Sequence, residues 1–310
     1  MRFSIVTPSL NRAKFLNETI YSVVSQEGNF EIEYIVQDGG SSEDVINILD
    51  YWEKEINSGR FIPRCNKLSF QWFSEKDSGM YDAINQGFSK ATGEIMSWIN
   101  TDDKYHSHAF EALTQIFSKY ENVYWITGIP NSYNKDGIKV GMDLFPKSYS
   151  REFVKRGYYD VKFLPYGFNW IQQESTFWRV SLWQKVGGKL DMSKKYASDF
   201  YLWRSFAEHS DLVKVYSFLG GYRSHDEQIT ANPNTYRKEL NDIPKPPKGL
   251  RILYIIIMNM PFLKKLFFNT HKGFFLFRLL GLKWEWLVGR VIEWSFDENK
   301  WVLRLYGIIE

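Results

Sequence analysis

The first hundred residues alternate two hydrophobic periods. Phe3 to Val6 is a short apolar run stopped by Pro8, and Phe15, Leu16, Ile20, Val23 and Val24 then recur at the spacing of a helix face. Ile32 to Val36 is a second run, Val45, Leu49, Trp52 and Ile56 mark a second helix, and Leu68 to Phe73 a third strand. Tyr81, Ile84, Phe88 and Ala91 mark a third helix, which leads into Glu94-Ile95-Met96-Ser97-Trp98-Ile99-Asn100-Thr101-Asp102-Asp103. Strands separated by helices of this length predict βαβ units, and so an α/β fold with a mostly parallel sheet flanked by helices.

Parallel strands share a direction, so the polar loops that follow them fall on one sheet edge, where ligands of open α/β sheets bind. The four loops are Thr7-Pro8-Ser9-Leu10-Asn11-Arg12, Asp38-Gly39-Gly40-Ser41, Glu75-Lys76-Asp77-Ser78-Gly79 and Asn100-Thr101-Asp102-Asp103. Ser41 with Asp44 resembles a capping box for the second helix. Adjacent carboxylates such as Asp102 and Asp103 repel unless a cation or a positive ligand sits between them. The competing use is a cap for the helical stretch His106 to Lys119, although one Asp suffices for that. Neither G-x-G-x-x-G nor G-x-x-x-x-G-K-[ST] occurs, which excludes the usual dinucleotide and P-loop phosphate cradles. A nucleotide held through a metal at an acidic strand end is left open.

Beyond Asp103 the rhythm loosens. Val123 to Thr127 predicts a strand, and Asn134-Lys135-Asp136-Gly137 a hairpin turn. Gln172-Gln173-Glu174-Ser175-Thr176-Phe177-Trp178-Arg179 follows, then a helix through Phe200, Leu202, Trp203 and Phe206 with Asp199 at its start. Gly220-Gly221-Tyr222-Arg223-Ser224-His225 closes the polar part, and Pro244 to Pro247 mark a linker.

Composition adds limits. The 310 residues are 44% hydrophobic and 24% charged, and the net charge of +3 is too small to indicate nucleic acid. A single cysteine, Cys65, excludes a disulfide framework or a cysteine metal site and fits a reducing cytosol. The N-terminal apolar run is too short for a signal peptide, and no apolar stretch reaches the roughly 18 residues of a spanning helix. A cytoplasmic protein is expected.

These motifs, in this order, resemble glycosyltransferase family 2, from about Phe3 to about Thr230. Thr7 to Arg12 is similar to the family's first strand end and Asp38-Gly39-Gly40-Ser41 to its second. Lys76-Asp77-Ser78-Gly79-Met80-Tyr81-Asp82-Ala83-Ile84-Asn85 resembles the segment bordering the nucleotide. Asn100-Thr101-Asp102-Asp103 looks like the D-x-D element with Asn in place of its first acid. The resemblance implies a GT-A fold and inverting transfer from a nucleotide-diphosphate sugar to a glycan or lipid-linked hydroxyl, in cell-surface polysaccharide assembly. It implies a divalent cation, Mn²⁺ or Mg²⁺, on Asp102, Asp103 and His225. Thr7, Pro8, Asn11, Arg12, Asp38, Asp77, Tyr81, Asn100 and Asp102 are then expected to line the donor site. Gln173 is expected on the acceptor side, and Arg223 on phosphate. Asp199 matches the catalytic base, with Ser198 in place of the preceding acid; Glu174 is the competing base, and a helix cap the competing role for Asp199. His225 has a structural alternative, and Trp178, with Trp170, Phe177 and Trp183, either stacks on sugar or packs the core. The implied division is residues 1–243 as the catalytic domain, nucleotide part about 1–105 and acceptor part about 106–243.

Residues 244–310 differ in kind. Residues 250–296 carry seven Lys/Arg against two acids and eleven aromatics, among them Phe267, Phe268, Trp284, Trp286 and Trp294. That composition predicts a basic amphipathic helical extension on the anionic inner face of a membrane. A helical cap on the catalytic domain, or a homo-oligomer contact, is the alternative. The replacements at Asn100 and Ser198 leave a second function open, a non-catalytic sugar-nucleotide-binding or scaffolding subunit. A nucleotidyltransferase is more remote, because no basic glycine-rich triphosphate loop is present.

Overall fold

The computed structural model describes residues 1–144, 147–159, 171–225, 233–246 and 288–307. The expected alternation holds through the first hundred residues: β1 (Arg2–Ser9), α1 (Ala13–Val24), β2 (Gly28–Asp38), α2 (Glu43–Asn57), β3 (Cys65–Ser74), α3 (Met80–Lys90) and β4 (Ile95–Trp98). Then follow β5 (Lys104–Tyr105), α4 (Ala109–Lys119), β6 (Trp125–Thr127), β7 (Asn131–Tyr133), β8 (Lys139–Met142), α5 (Arg151–Arg156), β9 (Thr176–Arg179) and α6 (Val180–Lys185). The last elements are α7 (Ser198–His209), β10 (Leu212–Val215), β11 (Gly220–Arg223), α8 (Pro233–Glu239), β12 (Val288–Ser295) and β13 (Lys300–Gly307).

The main sheet runs β13-β12-β10-β6-β9-β4-β1-β2-β3. It is parallel except at β9, antiparallel to both neighbours, and at the β12–β13 hairpin. Strand alternation sorts its side chains into two cores. Phe3, Ile5, Ile32, Tyr34, Ile95 and Phe177 face α1, α2 and α4. Val6, Ile35, Met96, Trp98, Trp125 and Trp178 face α3, α5, α6, α7 and α8. Because helices cover both faces, β1 is buried at every residue after Arg2, as a central parallel strand should be. A smaller sheet, β5-β11-β7-β8, includes β5, which directly follows the loop after β4.

Register brings the loops together. Ser9 pairs with Asp38 and Asp38 with Ser74, so the ends of β1, β2 and β3 form one row. The capping box at Ser41 does not form: its hydroxyl and N–H turn back onto the Asp38 carboxylate, and α2 starts after Ser42 without a side-chain cap. The Ser41 hydroxyl donates to a charged carboxylate, and its oxygen accepts from the Asn11 N–H in place of a helix N–H.

The C-terminal expectation needs correction. Residues 288–307 are a β-hairpin that extends the main sheet, with β12 parallel to β10. Trp294 faces Trp301 across the hairpin with centroids 5.4 Å apart, Ile292 is in the core, and the Trp301 carbonyl accepts from Lys119 and Tyr120 of the catalytic part. The boundary at 243 therefore does not separate two folding units. Residues 250–287, with Phe267, Phe268, Trp284 and Trp286, and also Trp170, lie outside the described residues. No helix among the described residues is long and apolar enough to cross a membrane. Deleting 288–310 is expected to strip β10 of its partner β12, leaving only β6, and cost soluble, folded protein; a cooperative thermal transition retained by the truncated chain, followed by circular dichroism, would contradict a structural need for the hairpin.

Candidate active site

Three of the loops at the sheet edge are locked to one another. Asp38 is fully buried, and its carboxylate accepts from the N–H groups of Gly40 (3.0 Å) and Ser41 (2.8 Å) and from the hydroxyls of Ser41 and Ser74. Asp38, expected to line the donor site, thus organises the loop that follows its strand. Asn11, at φ 53°, donates its N–H to Ser41 Oγ and accepts from the Ser42 N–H at 2.9 Å, tying the first loop to the second. Asp77 accepts from the Gly79 N–H at 2.8 Å and leans over Gly39, where an added Cβ would lie 2.6 Å from its carboxylate. Burial raises the Asp77 carboxyl above its ordinary range, and the charges of Asp82 and Asp38 add to this against the Gly79 N–H. Pro8 is buried in the strand end, whereas Arg12 is exposed at the start of α1. Thr7 corrects its expected role: it is fully buried, 2.9 Å from the Tyr34 hydroxyl.

The adjacent aspartates part company. Asp103 points inward, only 1% exposed, and accepts from the Arg223 N–H at 2.8 Å and from Asn100 Nδ2 at 3.2 Å. Burial, then the charges of Asp102 and Glu174, push its carboxyl well above the usual range. The metal-ligand role expected of Asp103 is therefore not supported; it ties β11 to the loop after β4. Asp102 points outward, its side chain 26% exposed, with Oδ2 2.9 Å from His225 Nε2. Arg223 is also corrected. Its guanidinium is buried against Phe15, donates to the Asp102 carbonyl at 2.7 Å and pairs with Glu18, so it braces the loop from behind. Burial works to raise the Glu18 carboxyl, but Lys104 and Arg223 outweigh it and hold it low. Glu18 carried no motif: it sits on the polar face of α1.

Beside this edge lies a cavity of about 650 Å³ whose wall includes Asn100, Gln173, Glu174 and Asp199. Tyr81, Tyr196, Tyr222 and Tyr236 supply aromatic surface. Three buried side-chain oxygens on that wall, Asn100 Oδ1, Gln173 Oε1 and Glu174 Oε1, have no hydrogen-bond partner among the described residues. Buried polar atoms are normally satisfied, so such a set marks a place for polar ligand groups. Burial pushes the Glu174 carboxyl up to about 8, which keeps its proton on at neutral pH. β11 presses on this segment so closely that a Cβ at Gly220 would lie 2.0 Å from the Glu174 carbonyl. Asp199 sits in the first turn of α7, and the Tyr81 hydroxyl lies against the N–H groups of Ser198 and Asp199. Trp178 takes no part. It is fully buried among Trp98, Trp183 and Trp203, so of the two roles considered for it, sugar stacking and core packing, the structure places it in the core.

The sequence profile described as Glycosyl transferase family 2 matches residues 4–177, more than half the chain and including the four strand-end loops of this edge, while Asp199, β11 and His225 lie beyond it. The chain belongs to glycosyltransferase family 2. An uncharacterized glycosyltransferase of Rickettsia typhi is 28% identical over 248 residues, 77% of this chain and 68% of that protein. One of Mycobacterium tuberculosis is 33% identical over 116 residues, but these are only 39% of its length. The S. aureus TarS fragment 1–349, solved in complex with UDP-GlcNAc, superposes with a TM-score of 0.54 at 14% identity, covering 79% of this chain and 68% of that one. The mannosyltransferase PcManGT of Pyrobaculum calidifontis, solved with GDP-Man and Mn²⁺, gives 0.53 at 14% identity, covering 79% and 66%. This family 2 chain accordingly has the GT-A type of fold expected from its motifs, and the family makes it a glycosyltransferase.

Proposed function

We propose that this glycosyltransferase moves a sugar from a nucleotide-diphosphate donor to an acceptor hydroxyl with inversion, with a divalent cation at Asp102 and His225. The observation that carries the reading is the cavity that holds Asp199 on a wall with three unpartnered buried oxygens, one of them on Asn100, two positions before Asp102. Sugars and acceptors bring hydroxyl donors that such oxygens would accept. In this reading Asn100 accepts a hydroxyl of the donor where the family's first acid would, and Asp77 borders the nucleotide. Asp199 takes the proton of the acceptor hydroxyl as that oxygen attacks the anomeric carbon. Glu174 is less suited to the task, since its burial keeps it protonated.

The donor set fits the implied metal: a carboxylate oxygen and an imidazole nitrogen 2.9 Å apart, with phosphate oxygens of a donor to complete the shell, suit Mn²⁺ or Mg²⁺. When bound, such a cation neutralises charge developing on the leaving diphosphate. The His225 ring rests against Phe15 at 5.1 Å, which holds it toward Asp102.

The test is release of nucleoside diphosphate from a panel of nucleotide sugars, UDP-GlcNAc and GDP-mannose included, with glycan and lipid extracts as acceptors and with Mn²⁺ or chelator. Metal-dependent release from one nucleotide class is expected. Binding by calorimetry with no turnover from any donor would favour the scaffolding subunit, and pyrophosphate release a nucleotidyltransferase.

A further inference from the structure

The element that carries Asp199 has no side-chain cap of its own. Ala197 occupies the cap position of α7 and makes no side-chain hydrogen bond, although Ser, Thr, Asp or Asn normally stands there. The approach to the helix is held from elsewhere. The Glu239 carboxylate, at the end of α8, accepts the backbone N–H groups of Lys195 at 2.9 Å, Tyr196 at 3.0 Å and Ala197 at 2.9 Å. Three consecutive N–H groups on one carboxylate fix the direction of the chain as it enters α7. The grip is two-sided: the Tyr201 hydroxyl, one turn into α7, donates to the Glu239 carbonyl at 2.8 Å and to the Asp242 carboxylate. Tyr81 lies against the next two N–H groups, so residues 195–199 are held along their whole length.

The same short helix also shapes the cavity. Tyr236, one turn before Glu239, is 8% exposed and lines the cavity along with Tyr196, itself one of the residues Glu239 grips. One segment therefore carries both a wall of the cavity and the clamp on the helix that bears Asp199.

We propose that Glu239 is a positioning residue, which sets Asp199 in line with an acceptor hydroxyl held against Tyr236. It touches no substrate and moves no proton; its three hydrogen bonds determine where the α7 turn begins and so where the Asp199 carboxylate stands. The proposal rests on the reading of Asp199 as base. Misplacement of a catalytic group by about 1 Å costs on the order of 10²-fold in rate.

Two variants and one reference test it, in the full-length enzyme with the donor and acceptor identified by the panel above. Glu239→Ala is expected to lower kcat by about 10- to 100-fold with donor KM within about twofold, because the donor edge lies on other elements. Glu239→Gln can keep an accepting oxygen for the Tyr196 and Ala197 N–H groups but sets its NH2 against the Lys195 N–H, and is expected to recover kcat in part. Asp199→Asn is the reference. If Glu239→Ala keeps its kcat per folded molecule while Asp199→Asn is inactive, the clamp is overturned and the base stands. The clamp is likewise overturned if Glu239→Ala and Glu239→Gln lose kcat, donor KM and thermal stability together, as a purely structural residue would. If Asp199→Asn turns over like the wild type, both the base and the clamp are overturned.

Discussion

Replacing Asp199 by asparagine is expected to lower kcat by about 10²- to 10⁴-fold, the range that a positioned general base contributes. Asparagine keeps the size of the side chain and one accepting oxygen, so the cavity keeps its shape and loses only the group that can take a proton. Donor KM should therefore change little, and thermal stability should stay near that of the parent. Glu174→Gln is the informative contrast. Burial already holds Glu174 in its protonated form near neutral pH, with its ordinary value of 4.5 pushed up to about 8. A neutral amide replaces it there with little change in charge, and kcat is expected to fall less than about tenfold. The same shift sets a sign for stability. A carboxyl raised on folding stabilises fully below its unfolded value and loses that contribution as pH climbs toward its folded one. Glu174→Gln should accordingly flatten a decline in thermal midpoint between about pH 4.5 and 8. Steady-state kinetics decide the base: an inactive Glu174→Gln beside an active Asp199→Asn would exchange the two roles.

The sheet edge was legible because its causes are local. Short strands buried on both faces, separated by helices of one apolar stripe, leave little choice but parallel βαβ units, and parallel strands must gather their loops. What was hidden depends on partners far along the chain. Nothing near Asp103 or Arg223 says that a carboxylate turns inward onto a backbone N–H 120 residues away, or that Glu18 on the first helix neutralises the guanidinium. Thr7 and Trp178 have residue types suited to a site, and only the third dimension puts them behind it. The Val288–Ser295 strand was masked by its composition, because the same aromatic and basic residues that suit an interfacial helix also suit a twisted hairpin. Its partner strand β10 lies more than seventy residues upstream, beyond the reach of any periodicity. Glu239 shows the same limit, as a lone acid on a short helix whose meaning is three amide protons of another segment.

The inward and outward turns of the neighbouring aspartates predict opposite phenotypes. Asp102→Ala removes a partly exposed carboxylate whose side chain meets only His225 among the contacts described, so folding should be almost unaffected. Its loss should instead show in chemistry: without the carboxylate, charge on the leaving diphosphate is left uncompensated, and turnover is expected to fall by about 10²-fold or more, with much weaker stimulation by Mn²⁺. Asp103→Ala should do the reverse. It leaves the Arg223 N–H buried without its acceptor, a cost of about 1–3 kcal/mol, releases the part-buried Asn100 amide, and loosens β11 from the loop after β4. Thermal denaturation should therefore separate the two variants in one direction and a Mn²⁺ titration of turnover in the other. Activity lost by Asp103→Ala should return in part at low temperature, where the folded fraction recovers, whereas that lost by Asp102→Ala should not. A stable Asp103→Ala enzyme with no response to Mn²⁺, beside an Asp102→Ala enzyme that responds normally, would overturn the proposed division of labour and favour the buried acid as the cation's ligand.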